Sequence, residues 1–191
     1  MNTMMQQTNK AGAVARKVMA LTLALMAIVT ATLSTAAAQN SYLVPVSSRA
    51  GAFSALMPGA AQYSSKPVTI KDGSTVTLHQ FSHETADRRF AYIVMYSDYA
   101  NGIATGGNLD GFFQEVAQGG AKGINGQILK IMTRTQNGYP ARLVKYENSD
   151  YTFYNQMILA GRRFYQVIFV MPKGASVPDA AERFYESFRI G

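Results

Sequence analysis

His79 and His83 are the whole supply of imidazole in the chain, and cysteine is absent. Any histidine-based dyad, triad or metal site must therefore use one of these two. Their i, i+4 spacing suits a shared metal on a helix, but Thr75–His83 alternates loosely, as a partly exposed strand does. On a strand, four residues span ~13 Å at ~3.3 Å each, too far for two ligands at ~2 Å from one zinc. Glu84 would complete a metal set only if the segment were helical. Gly119–Gly126 resembles a phosphate loop but lacks the Gly-Lys-Ser/Thr order and follows a helix where such a loop precedes one. No serine sits in a nucleophile elbow. Glu84 and Asp87 share one loop as solvated carboxylates, and the other acids are scattered. The expectation is a protein without catalytic residues, metal or cofactor.

Arginine offers a different chemistry. Arg88-Arg89 opens an apolar stretch and Arg162-Arg163 sits at a turn, with Arg142 and Lys145 between. Guanidinium forks grip phosphate and carboxylate in two-pronged geometry. Arg88, Arg89, Arg142, Arg162 and Arg163 are thus the candidate contacts for an anionic ligand or partner. The plainer reading, which weighs more, makes them solvated turn residues that keep strand edges soluble. Tyr146, Tyr151 and Tyr154 could add an amphipathic aromatic surface, but the weightier reading places most tyrosines in the core or half-core. The glycine-rich stretch 98–107 suits a pocket rim.

The amino terminus carries the strongest pattern. Met1–Lys17 holds Lys10, Arg16 and Lys17 and no acid; an apolar run Val18–Thr30 follows, then small residues ending Ala36-Ala37-Ala38-Gln39. Basic, apolar and small-residue regions in this order are a secretory signal, with Ala36 and Ala38 framing cleavage before Gln39. The apolar core is ~13 residues where a spanning helix needs ~20, although the alanine-rich tail could lengthen it into an uncleaved anchor. Removing the signal takes three of eighteen basic residues and none of eleven acids, so the net charge falls from +7 to +4. That balance argues against specific nucleic-acid binding, and no membrane span is expected after cleavage. The mature protein is expected in the periplasm or the medium.

Beyond a signal over 1–38 and a short linker over 39–50, residues 51–191 read as one domain with enough chain for a core. Val68–Lys71 and Thr75–His83 flank Asp72-Gly73, a hairpin signal. Arg89–Asp98 and Phe164–Met171 are apolar on both faces, as central strands are. Leu109, Phe112, Phe113, Val116 and Ala117 form a helical stripe, with Asn108 as cap and Gly119-Gly120 as stop. Gly126–Thr135, Tyr139–Glu147, Tyr151–Ala160 and the strand from Phe164 make a four-strand meander, its first turn at Asn137-Gly138. Ser176 and Asp179 resemble a capping box opening a helix that presents Ala180, Ala181, Phe184, Tyr185 and Phe188. Two amphipathic helices and two doubly buried strands imply an α+β fold. Its sheet is mainly antiparallel and flanked by helices as an α/β/α sandwich.

The run Gly161-Arg-Arg-Phe-Tyr-Gln-Val-Ile-Phe-Val and the later Ala181-Glu-Arg-Phe-Tyr-Glu-Ser-Phe-Arg189 resemble the last strand and helix of PsbP-like exported proteins. These share the sandwich of the Mog-type Ran-binding proteins. Ala52-Phe-Ser-Ala-Leu-Met-Pro58 is similar to their first strand. The element order matches over most of Gly51–Arg189. The resemblance implies the fold and a non-enzymatic accessory or assembly role, and it transfers no functional residue. Fold alone does not assign function.

The combined expectation is an exported, non-catalytic accessory or binding protein whose partner is an envelope protein or a small anionic ligand. The alternative is a periplasmic small-ligand binder with a Tyr/Arg-lined pocket. Mass analysis of the exported protein should give an amino terminus at Gln39 or within a few residues. A full-length, membrane-bound chain would contradict the cleaved signal.

Overall fold

Two strands that are apolar on both sides need cover on both sides, and the architecture follows from that demand. The computed structural model describes residues 43–69, 74–99 and 108–191. The segment read as an export signal, with Ala36, Ala38 and Gln39, the expected Asp72-Gly73 turn and most of the 98–107 stretch lie outside these residues.

In chain order the elements are β1 (Val44–Ser48), β2 (Phe53–Met57), β3 (Gln62–Thr69), β4 (Thr75–Glu84), β5 (Ala91–Asp98), α1 (Leu109–Gly123), β6 (Gln127–Gln136), β7 (Tyr139–Glu147), β8 (Tyr151–Ala160), β9 (Arg163–Pro172), α2 (Asp179–Ser187) and β10 (Arg189–Ile190). Seven strands form one sheet in the order β3-β4-β5-β9-β8-β7-β6, every neighbour antiparallel. The meander β6–β9 is as expected. Its return brings β9 against β5, so α1 must carry the chain across the sheet to the far edge.

The β5–β9 register sorts the two faces. Tyr92, Val94 and Tyr96 stand opposite Phe169, Val167 and Tyr165 on one face, and Ile93 and Met95 stand opposite Ile168 and Gln166 on the other. The first face packs with Phe184 and Phe188 of the carboxy-terminal segment and with Phe53, Ala55 and Met57 of β2. The second is covered in part by α1, whose Phe112, Phe113, Val116 and Ala117 pack with Val144, Phe153, Met157 and Phe164. The α+β fold with a helix on each side is therefore present. A three-stranded sheet, β1-β2-β10, shares the first face with α2. No helix among the described residues is long and apolar enough to cross a membrane.

Local chemistry explains most element ends. The Asn108 side-chain oxygen accepts the Gly111 N–H at 2.8 Å, which caps α1. Asn137 (φ 48°) and Gly138 (φ 80°) both take positive φ, the requirement of the tight β6–β7 turn.

Several boundaries differ from expectation. Residues 44–48, assigned to the linker over 39–50, form β1, because Val46 is buried opposite Ala55 of β2. Strand β3 begins at Gln62; its mostly exposed residues carry no apolar alternation, and pairing with β4 defines it. Gly119-Gly120 does not stop α1, which runs to Gly123 with Ala121 extending its buried stripe. Helix α2 begins at Asp179 after Pro178 with no side-chain cap, so Ser176 does not form the expected capping box. Strand β5 starts at Ala91, two residues beyond Arg89.

Val94 is fully buried and Ile168 nearly so, on opposite faces of the central pair. Val94→Asp and Ile168→Asp each place an unpaired carboxyl in this core, an effect of about 4 kcal/mol or more. Neither variant should give a cooperative urea transition by circular dichroism. Native-like melting of either would contradict the double burial.

Candidate functional site

The five candidate arginines do not form one patch. Arg88 and Arg89 lie in the β4–β5 turn, whereas Arg162 and Arg163 lie where β8 meets β9. The two pairs flank opposite ends of β5, whose terminal residues are ~23 Å apart at ~3.3 Å per residue.

Most of these groups already have intramolecular work. Arg163 donates two hydrogen bonds of 2.6 Å to the Asp98 carboxylate and lies 4.9 Å above the Tyr96 ring. Arg162 Nε donates to the Tyr99 carbonyl at 3.1 Å. Arg142 is buried, pairs with Asp110 of the first α1 turn, donates to the Ala141 carbonyl and covers the Phe113 ring. The Arg89 guanidinium sits 5.4 Å from the Phe90 ring. Arg88 adopts φ 54° and donates its N–H to the Thr85 carbonyl at 2.7 Å. In the same turn the Thr85 hydroxyl donates to Asp87 at 2.6 Å, holding that carboxyl below its ordinary range. These contacts brace turns and clamp α1, which is why a shared anion site is not assembled.

The histidines are also structural. Both face the β1-β2-β10 side of β4, His79 opposite Tyr96 and His83 opposite Tyr92. His79 stacks on Tyr96 with centroids 4.5 Å apart and shares a 2.9 Å hydrogen bond with the Tyr63 hydroxyl. His83 Nδ1 lies 3.2 Å from the Ala60 carbonyl. Tyr146, Tyr151 and Tyr154 are core or half-core, as the weightier reading had them, and divide between faces. Tyr146 is buried under α1, Tyr151 packs half-buried beside it, and Tyr154 lies in the opposite core beneath Lys145.

A different group of residues converges. Beside the carboxy-terminal end of α1, the second face of the sheet holds a half-open pocket of about 40 Å³. Its floor is two rows across the strands. Gln80, Met95 and Gln166 lie in register on β4, β5 and β9; Ile93, Ile168 and Asn155 lie in register on β5, β9 and β8. Tyr146 and Phe153 wall one side, with Gly120 and Ile124 along the helix. A Cβ on Gly120 would meet the Tyr146 hydroxyl oxygen at 3.0 Å, so glycine gives α1 its close approach.

The polar groups here are incompletely matched. Asn155 Nδ2 donates to Gln166 Oε1 at 2.8 Å, and Gln80 Nε2 donates to Ser82 Oγ at 3.2 Å. Gln80 Oε1, Asn155 Oδ1 and the Tyr146 hydroxyl have no hydrogen-bond partner. Exposure is only 3 % for Tyr146 and 7 % for Asn155, and a buried polar atom left unpaired costs about 1–3 kcal/mol. Burial also pushes the Tyr146 phenol well above its ordinary value, and the Asn155 side chain, beside the hydroxyl though outside hydrogen-bonding geometry, acts to lower it. The pocket is lined by one tyrosine and three carboxamides, with none of the candidate arginines. These residues were missed although a signal was present: Asn155 and Gln166 interrupt two otherwise apolar strands.

No protein-family model matches the sequence, and no curated protein matches it. Among solved structures, the chain is similar to cyanobacterial PsbP (CyanoP) from Synechocystis sp. PCC 6803, with a TM-score of 0.51 and 13 % identity. The match covers 83 % of this chain and 98 % of that one. At this identity the likeness shows a PsbP-like fold.

Buried phenols predict an alkaline limit. Burial raises Tyr92 and Tyr99 to about 12 and also raises Tyr146. Unfolded tyrosine ionises near ~10, so the unfolded chain loses these protons first. The phenols' contribution to stability should be constant from neutral pH to about pH 10 and fall as pH rises above it, read from urea midpoints. Tyr146→Phe removes an unpaired hydroxyl and should change stability by less than about 1 kcal/mol, or raise it. Tyr165→Phe loses a 2.7 Å bond to the Gly51 carbonyl and should cost about 1 kcal/mol. A loss at Tyr146 exceeding that at Tyr165 would show that its hydroxyl is matched.

Proposed function

We propose that this is an exported, non-catalytic binding protein of the cell envelope, an accessory factor. The observation that carries the reading is the chemistry converging on the pocket: three carboxamides and one phenol. Carboxamides donate and accept hydrogen bonds but do not titrate in the range used for acid–base catalysis. Such a set recognises and orients a partner group. The secretory pattern at the amino terminus and the PsbP-like fold support the same reading. Fold likeness supplies neither partner nor chemistry.

The unmatched polar atoms favour a narrower second reading, a small-ligand-binding protein of the periplasm. The pocket has the apolar lining and few convergent polar groups common in ligand sites. Among the described residues its lining holds no charged side chain, so an uncharged ligand fits it better than the anion suggested by the arginines.

Crosslinked affinity capture from the native envelope fraction should recover a stoichiometric partner, and repeated empty captures would overturn the accessory reading. Native mass spectrometry of protein purified from its source should show an added mass if the pocket is filled. A uniformly bare chain in both experiments would sink the two readings together.

A further inference from the structure

At one edge of the seven-stranded sheet, β6 pairs with β7 on one side and with no described strand on the other. An edge strand turns the N–H and C=O groups of every second residue outward, ready to pair. The opposite edge, β3, is interrupted by Pro67, which has no N–H to give. Strand β6 contains no proline. Its pairing with β7 shifts register between Ile128 and Lys130 and is then unbroken from Lys130 to Gln136.

Ile131 joins the core beneath α1, so Lys130, Met132 and Arg134 share the other face. There they stand opposite Lys145, Leu143 and Ala141 of β7. Met132 and Leu143 are half-buried and pack into neither core. Lys130 and Arg134 are exposed and lie ~13 Å apart along the strand at ~3.3 Å per residue. Where an acid would neutralise Lys130, β7 supplies Lys145, and like charges directly opposite are destabilising. Lys145 is not on the edge, so protection of the edge does not account for it. It lies 5.5 Å over the Tyr154 ring. Glu147, on the same face of β7, pairs with Lys173 at 2.9 Å. Among the described residues neither Lys130 nor Arg134 has an ion-pair partner.

An occupant of this edge must therefore bring acids. Edge cations turn away strands that lack them. A second copy joined antiparallel through β6 about Met132 would set Lys130 of each chain against Arg134 of the other, like charge on like. Residues 1–42 contain no Asp or Glu, so the chain's own amino-terminal segment does not match either. A strand with carboxylates two residues to each side of an apolar residue is admitted by the same charges, and such a pattern discriminates between partners.

We propose that the β6 edge over Lys130–Gln136 receives an extended acidic segment of a partner protein as an eighth strand. The added strand lies ~4.8 Å from β6, with carboxylates opposite Lys130 and Arg134 and an apolar side chain between them beside Met132. Main-chain hydrogen bonds hold a segment of this kind and alternate side chains select it. The proposal rests on the accessory reading above and gives its partner a chemistry; the carboxamide pocket, on the α1 face, takes no part.

The test is titration of the full mature chain with the peptide Thr-Glu-Thr-Leu-Thr-Glu-Thr, blocked at both ends, read by ¹⁵N–¹H spectra of the β6 amides. Its symmetry presents the pattern in either strand direction. Saturable shifts over Lys130–Gln136 are expected, with binding weakened as salt rises. Lys130→Glu combined with Arg134→Glu should weaken binding at least about tenfold and create binding of the peptide with Lys in place of Glu. N-methylation of one alternate set of peptide amides should abolish binding, and methylation of the other set should not.

No saturable response, binding undiminished in the double variant, equal binding of a peptide with its two Glu adjacent, or indifference to both methylations would overturn strand addition at this edge. So would a dimer that protects the β6 amides, or attachment to phosphatidylglycerol vesicles through Lys130 and Arg134 without binding of the peptide. Crosslinked capture from the envelope separates this proposal from the reading beneath it. A stoichiometric partner recovered equally by the double variant would overturn the docking edge and leave the accessory role in place. No partner and no peptide binding would overturn both.

Discussion

The antiparallel pairing of β5 with β9 is the contact on which the rest of the molecule depends. Both strands bury side chains on both faces, so neither can lie at an edge or against solvent. Tyr92, Val94 and Tyr96, in register with Phe169, Val167 and Tyr165, draw α2 and the small β1-β2-β10 sheet onto one side. The other side requires α1. Because β9 occupies the place beside β5, the chain leaving β5 must travel over the sheet to begin β6 at the far edge. The helical crossover is thus a consequence of strand pairing between residues about seventy positions apart in sequence.

Cover on the second face is incomplete where the polar residues lie. One strand of the central pair, β9, presents Gln166 there, and its neighbour β8 presents Asn155. The two satisfy each other in one direction and leave an acceptor open. Filling the gap with apolar side chains would remove that cost, since apolar replacements of matching shape are near-neutral or stabilising. A glycine at position 120 lets the helix approach Tyr146 without closing the pocket. The site is therefore a local departure from close packing beside an otherwise well-filled core. The charged residues do the opposite: Arg142 with Asp110 and Arg163 with Asp98 use their charge to hold elements together.

Much of the secondary structure was legible because its cause is local. Asn108 caps, Asn137-Gly138 turns, and the 3.6 and 2.0 periodicities follow from nearby backbone sterics and hydrogen bonding. The boundaries that differed have non-local causes. Val44–Ser48 is a strand because β2 offers it a partner, and β3 is mostly polar because it lies at the sheet edge. Gly119-Gly120 would end an isolated helix, but Ala121 continues the buried stripe and packing outweighs propensity. The candidate site divides in the same way. That Asn155 and Gln166 interrupt apolar strands is visible in sequence; that they face each other, with Gln80 and Tyr146 nearby, depends on strand order and register.

By itself the sequence determined the basic, apolar and small-residue order at the amino terminus, the two doubly apolar strands, both helical stripes and the shortage of histidine and cysteine, since each depends on residue type or short spacing alone. Tertiary structure decided which polar groups meet. It separated Arg88 and Arg89 from Arg162 and Arg163 along the length of β5. It also gathered Gln80, Tyr146, Asn155 and Gln166 from four strands around one pocket. The physical reason is that a site is a set of distances. Distances between strands are set by pairing across the sheet, where a one-residue change of register would turn every one of these side chains to the other face.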